Sequence, residues 1–528
     1  MTELLGPSPT PIVRLVNGFD RPFDNAIATA RTCYSSRVIT AEEVGADEAS
    51  RARRDVIARS TYAAGHHTTL QHAHFQFVLE RVSRQLIWSL LHAHPFYNSE
   101  QVSQRYVEVK PGAVAIPALP ERAASIYRDA VAAQMQAYHD LNELLIPVVE
   151  GEYAKIFPAR ARKLDRSPRW RSALKKRTQE VSRYVLPVAT HAHLYHTISG
   201  LTIHRYHRLC QQYDAPAEAR IVINAMVEEV RRVDPDFFRD IEDPLALEDT
   251  LEARSLAALG DASDLSRADR FVAEFDADLG GKMAALVDRS LDPEESIARA
   301  VRTALGVTRD ALSTADALDR VLDPAQDPYL TQALTVSTMG KLTRALSHAH
   351  FTFAKKLSHT ADSQDQRHRM VPATRPILAR QVRLGTPDYV IPALIAASPA
   401  QVQDRYRGAM DEAWVAMRQL AELEAPIESI LYLLPNAFPI RFTESGDMLH
   451  LHHKHTTRLC FTAQEEIWAA SLAEVQEIRR VAPRLARWLV PPCGLRHRGN
   501  VRPVCPEGDR FCGIKVWALE LEQYERVL

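Results

Sequence analysis

Strict alternation marks the clearest local pattern in the chain. Phe75, Phe77 and Leu79 fall on one side and His74, Gln76 and Val78 on the other, which predicts a strand with one apolar face. Through residues 122–149, 217–233, 401–423 and 463–482 the period changes: apolar residues recur at i, i+3 and i+4, as in amphipathic helices. Strands set beside such helices predict a mixed α+β architecture. Residues 241–296 break both patterns. They are rich in Asp, Glu and Ala, with Gly280 and Gly281 in succession, and read as a linker carrying one or two surface helices.

The string that opens the predicted strand occurs twice. His72 to Phe77 read HAHFQF and His348 to Phe353 read HAHFTF; a second match, RLC, follows in the same order at Arg208–Cys210 and Arg458–Cys460. Ordered recurrence of this kind is the signature of a tandem duplication. The expected division is a first repeat over 1–245, a linker over 246–290, a second repeat over 291–482 and a Cys-rich tail over 483–528. Each repeat is expected to carry an antiparallel sheet with flanking helices.

A chain of 528 residues is long enough for two such domains, and 46% hydrophobic with 25% charged residues is ordinary for a globular protein. The formal net charge of −1 argues against a general nucleic-acid binder. There is no apolar run long enough to span a bilayer, and the N-terminus lacks a basic stretch followed by an apolar one, so no membrane or nucleic-acid partner is expected and a cytoplasmic location is. Six cysteines are too few for a disulfide scaffold. Between Lys155 and Arg177, ten basic residues face one acid, either a solvated basic face or a surface that steers an anionic substrate.

Two clusters carry candidate chemistry. In the first copy, Ser103-Gln104-Arg105-Tyr106 and Ser182-Arg183-Tyr184 bring hydroxyl, backbone N–H and guanidinium donors close together, a compact anion clamp. In the second, Gln364-Asp365-Gln366-Arg367-His368-Arg369 sets two cations around an imidazole, suited to a pyrophosphate or a reduced, anionic ring.

Together and in this order these strings resemble the flavin-dependent thymidylate synthases, whose signature is R-H-R-x-x-S-x-N-E-x-S-x-R-Y. The signature is split. The first copy keeps Ser103-x-Arg105-Tyr106 but has Ala93 and Pro95 around His94; the second keeps Arg367-His368-Arg369 but has Ile377 and Ala379 at the later Ser and Arg positions. Ala30-Arg31-Thr32-Cys33-Tyr34 is similar to the family's A-R-x-C-Y, and His72 and His348 match its His ahead of F-x-F. Arg183-Tyr184-Val185-Leu186-Pro187 resembles R-x-V-L-P, where the second copy has Leu431; Arg458 with Ala463-Gln464-Glu465-Glu466-Ile467 matches R-x-x-x-x-A-Q-x-E-I, where the first copy has Ala215-Pro216. The chain departs from the pattern at Glu100-Gln101 in place of N-E, at Ser199-Gly200-Leu201 and Asp447-Met448-Leu449 in place of N-x-R, and at His453 in place of a flavin-binding Asn.

The resemblance implies a methyltransferase that converts dUMP to dTMP, with FAD as cofactor and NADPH and methylenetetrahydrofolate as cosubstrates. Ser103, Gln104, Arg105 and Arg183 would hold the nucleotide, Gln364 would touch it, and Arg458 would activate the uracil ring. Arg367, His368, Arg369, His72, His348 and His453 would hold FAD. Because family members are homotetramers with sites between subunits, a duplicated chain implies a homodimer that forms a pseudo-tetramer. The alternatives are C5 modification of another uridylate, or a catalytically inactive nucleotide- or flavin-binding homologue. In the tail, Cys493, His497, Cys505 and Cys512 form a candidate tetrahedral zinc site with non-standard spacing.

Overall fold

The computed structural model describes residues 7–93, 96–158, 161, 168–212, 214–259, 265–526 and 528. Two four-stranded antiparallel sheets share one topology. The first has the order β1 (Ile12–Gly18), β2 (His74–Ser83), β4 (His191–Ser199), β3 (Tyr97–Gln101); the second has β5 (Ala284–Arg289), β6 (His350–Ser358), β8 (Pro439–Asp447), β7 (Ala373–Thr374). Their registers correspond, since Phe77 lies opposite His196 in one and Phe353 opposite Glu444 in the other. The alternation expected at 74–79 is realised: Phe75, Phe77 and Leu79 are buried on one side of β2.

The helices that matter are α1 (Pro22–Thr32), α2 (Glu48–Ala63), α3 (Glu121–Ile156), α4 (Gly200–Arg208), α5 (Pro216–Val233), α6 (His359–Asp365), α7 (Ala400–Glu422), α8 (Met448–Arg458) and α9 (Glu465–Val481). Four of them coincide with the stretches of helical period. The strand-to-helix turns are built alike. Ser83, Ser199, Ser358 and Asp447 each end a strand in extended conformation, and each side chain accepts a hydrogen bond from a backbone N–H three residues on. This cap satisfies an otherwise orphaned donor and converts strand to helix without a loop.

The chain forms two compact units, and neither is one uninterrupted repeat. The first comprises residues 1–132, 187–264 and 415–434; the second comprises 133–186, 265–414 and 435–528. Each therefore holds a segment numbered within the other copy, and each uses it in the same way. In the first unit Glu218 accepts from the Ser83 backbone N–H at 2.7 Å, the Ser83 hydroxyl at 2.5 Å and the Tyr432 hydroxyl at 2.6 Å. In the second, Glu466 accepts from the Ser358 N–H at 2.6 Å, the Ser358 hydroxyl at 2.5 Å and the Tyr184 hydroxyl at 2.5 Å. Both carboxyls are buried, so three donors each are what makes their burial tolerable.

The stretch read as a linker contains more than surface helices. β5 lies inside it as the edge strand of the second sheet, and six residues, the last three of them exposed, are too short a run for periodicity to declare. The C-terminal tail belongs to the second unit, where Cys493, Val504, Val516 and Tyr524 pack with Phe461 and Trp468. Among the described residues no helix is long and apolar enough to cross a membrane.

Candidate functional site

In the second unit, β6 runs through its Ser358 cap into α6, which ends at Asp365; the turn that follows carries Arg367, His368 and Arg369, closed by the His368 N–H donating to the Asp365 carbonyl. Helix α8 comes alongside and ends in Arg458. The Arg458 Nε–H donates to His368 Nε2 at 2.8 Å and its Nη2 to the Gln364 carbonyl at 2.8 Å. His453, one turn earlier on α8, meets the His368 ring edge-on at 6.0 Å between centroids. Burial and the Arg458 guanidinium hold His368 well below its ordinary pKa, so the ring is neutral and its Nε2 is free to accept. A fixed cation stands beside a neutral imidazole, with exposed Arg367 and half-buried Arg369 next to it, a donor set whose chemistry suits an anionic or electron-rich ligand.

The first unit holds the other cluster. After β3 the chain turns at Ser103: its hydroxyl accepts from the Arg105 N–H at 3.3 Å, and its carbonyl accepts from the N–H groups of Tyr106 and Val107. Gln104 is buried, and the Arg105 guanidinium lies 5.4 Å from the centre of the exposed Tyr106 ring. The turn thus presents a hydroxyl and a guanidinium together.

Arg183 is a buried residue of the second unit, its Nε–H donating to the Glu180 carbonyl at 3.1 Å, next to the Tyr184 that donates to Glu466. His72 and His348 occupy matching exposed positions, each at the end of a six-residue 3₁₀ helix before an inner strand of its own unit. His94 and Pro95 fall outside the described residues, as does most of 159–167 within the basic insertion.

The strings that replace N-x-R have structural duties. Asp447 caps α8 while Met448 and Leu449 are buried in the core of the second unit. Ser199 caps α4, and a Cβ on Gly200 would lie 2.5 Å from the Phe237 ring and 2.8 Å from the Leu70 carbonyl.

In the tail, Cys505 and Cys512 pack against the same cluster as Cys493, and His497 stands apart at the surface. Among the described residues no group of three or more His, Cys, Asp and Glu side chains is placed to hold a metal ion. Cys493 sits in the apolar cluster around Phe461 and Trp468, where burial and the neighbouring thiols of Cys460, Cys505 and Cys512 push its thiol up to about 12; burial also raises Cys505 and Cys512.

One feature lay beyond the motifs. A cavity of about 630 Å³ in the first unit is lined by Arg31, Tyr34, Ser35, Arg53, Ser60 and His66, among others, on helices α1 and α2 and the turn beyond. Arg31 and Tyr34 were visible in the A-R-x-C-Y string. Arg53, Ser60 and His66 were not, although the His66-His67-Thr68-Thr69 run ahead of β2 was a signal.

A neutral His–cation pair thus lies on one α+β repeat and a Ser–Arg turn on the other. The model of the thymidylate synthase complementing protein family, Thy1, matches residues 14–236 and 285–484, and the chain belongs to that family as a tandem of two copies. It is similar to the flavin-dependent thymidylate synthase of Clostridium tetani (strain Massachusetts / E88), 27% identical over 234 residues, 43% of this chain and 85% of that protein. It is also 27% identical over 158 residues to the flavin-dependent thymidylate synthases of Saccharolobus solfataricus and Sulfurisphaera tokodaii, in each case 30% of this chain. The chain spans 60% of the length of these two archaeal relatives.

Proposed function

We propose that the protein is a flavin-dependent thymidylate synthase-like methyltransferase that converts dUMP to dTMP, and that its two copies have specialised. The observation that carries this reading is the hydrogen bond from Arg458 to His368, which joins two motifs 90 residues apart in the chain into one cationic site. The donor set fits FAD: Arg367 and Arg369 supply charge for a diphosphate, and neutral His368 with His453 supplies aromatic edges for a ring system. When bound, FAD supplies the hydride that completes the methyl group, with NADPH as its reductant and methylenetetrahydrofolate as the one-carbon donor.

The chain's own residues do the rest. Arg458, a permanent cation held from two sides, stabilises negative charge that develops on the uracil. Ser103, Gln104 and Arg105 hold the nucleotide phosphate through charge-assisted hydrogen bonds, and Gln364 orients the base. Ser103 binds and does not attack, because its hydroxyl is engaged by the Arg105 backbone rather than by a base. Arg183 acts less directly, since its guanidinium is buried beside the Glu180 carbonyl. Two chains would carry four copies, the complement of a single-copy homotetramer.

The test is turnover of dUMP by purified protein supplied with FAD, NADPH and methylenetetrahydrofolate, with dTMP measured directly. Formation of dTMP that disappears in Arg458→Ala is the expected result. A yellow protein that binds dUMP yet makes no dTMP would favour an inactive homologue, and turnover of another uridylate alone would move the assignment to that substrate.

A further inference from the structure

Two copies of one fold should bury similar residues at matching positions, and at several these do not: Asp362, paired with Arg375, stands where the first copy buries Ile87, and five further charges form one connected group. The sheet registers place Leu79 and Lys355 at the same point of the central strand, and His196 and Glu444 at the same point of its neighbour. Counting from the matching caps Ser83 and Ser358 equates Leu90 with Asp365, and from Ser199 and Asp447 equates Tyr206 with Lys454. Counting from the matching carboxyls Glu218 and Glu466 equates Met226 with Glu474. The first copy buries Leu, Leu, His, Tyr and Met where the second buries Lys, Asp, Glu, Lys and Glu.

The five charged side chains form a connected lattice, with His455 at its edge 3.7 Å from Glu474. Lys355 Nζ lies 2.5 Å from Asp365, 2.7 Å from Glu474 and 3.4 Å from Glu444. Lys454 contacts Glu444 and lies 3.3 Å from Glu474 and 3.4 Å from Asp365. All five are almost wholly shielded from solvent. Taking five charges out of water is costly, and an apolar replacement of similar volume is commonly neutral or stabilising. The first copy forms the same sheet with three apolar residues and an uncharged His196–Tyr206 pair, hydrogen-bonded to each other at 3.4 Å and to Ser99 at 2.6 Å. The lattice is therefore not what the fold requires.

Its position indicates what it serves. Asp365 ends α6 and accepts the His368 N–H through its carbonyl; Lys454 lies one turn before Arg458 on α8. Asp365 and Lys454, with Lys355, Glu444 and Glu474 between them, tie together the two segments whose tips form the Arg458–His368 pair. We propose that Lys355, Asp365, Glu444, Lys454 and Glu474 are positioning residues: a buried ionic clamp, present in the second copy only, that fixes the end of α6 against α8 and holds His368 and Arg458 in hydrogen-bonding register for their ligand. The identity of that ligand as FAD rests on the function proposed above; the clamp does not.

The test transplants the first copy's solution into the full chain: Lys355→Leu, Asp365→Leu, Glu444→His, Lys454→Tyr and Glu474→Met together. Two readouts are followed. One is the Arg458 Nε–H resonance in protein labelled with 15N-arginine, assigned by its loss in Arg458→Lys, whose hydrogen bond to His368 slows its exchange. The other is FAD affinity by fluorescence quenching. The expected transplant is folded, melts no lower than the parent, loses the slow exchange at Arg458 and binds FAD at least tenfold more weakly. Unchanged exchange at Arg458 overturns the proposal. So does a transplant that fails to fold, because the lattice would then serve the fold itself. Should the parent bind no FAD, the functional reading fails while the exchange measurement still decides the clamp. A conservative variant, Lys454→Arg, should retain slow exchange, and its loss there would count against an ionic role.

Discussion

Replacing Glu218 by Gln isolates one buried carboxyl whose energetics the structure specifies. Burial, partly offset by the Ser83 and Tyr432 donors, pushes Glu218 up to about 7 from an ordinary 4.5. The sign follows from linkage: a carboxyl whose folded pKa is raised contributes stability that is fully present below pH 4.5 and is lost as pH rises through about 7. With roughly 1.4 kcal/mol for each tenfold change, the loss between pH 5 and pH 8 is roughly 2 to 3 kcal/mol. For a unit of this size that is a fall in Tm of roughly 4–10 °C. Glu218→Gln keeps the neutral shape and a carbonyl for Ser83, so its Tm should decline less over the same range. Calorimetric scans of both proteins at pH 5, 6, 7 and 8, at matched ionic strength, give the difference in slope. Glu444 and Glu465, also pushed up to about 7, act in both proteins alike and cancel. Parallel slopes, or a parent that gains stability toward pH 8, would refute the reasoning.

Tyr184→Phe removes one of three donors from Glu466 and the acceptor of the Gln464 amide at 2.5 Å; a loss of about 2–3 kcal/mol is expected, read as the Tm of the second unit. Arg105→Ala should weaken dUMP binding by about 1.5–3 kcal/mol with flavin content unchanged, and equal affinities in a titration would remove Arg105 from the site. Arg367→Ala should abolish most FAD binding, and the parent should bind one FAD per chain; a ratio near two would point instead to a second cofactor in the cavity lined by Arg31, Tyr34 and Arg53. At pH 8 a thiol reagent followed by mass spectrometry should modify exposed Cys33 first and Cys493 last, since burial pushes Cys493 up to about 12.

What the sequence determined was local or repeated. Period-2 alternation located β2, period-3.6 patterns located α3, α5, α7 and α9, and the twin HAHF strings announced two copies, because strand and helix periodicity are written into consecutive residues. The Arg367-His368-Arg369 triplet and Arg458 were likewise legible as motifs. Their union was not: the hydrogen bond between Arg458 and His368 depends on how α8 lies against the end of α6, which side chains distant in the chain decide. Nor did spacing report the packing of the tail: that Cys493, Cys505 and Cys512 gather against Phe461 and Trp468 is decided by the fold. The exchange of segments between the units and the buried lattice of Lys355, Asp365, Glu444, Lys454 and Glu474 belong wholly to the tertiary structure. Each of those five charges looks like an ordinary surface residue in the sequence, and only the approach of β6, α6, β8, α8 and α9 puts them out of reach of water, where a charge must find its partner within the protein.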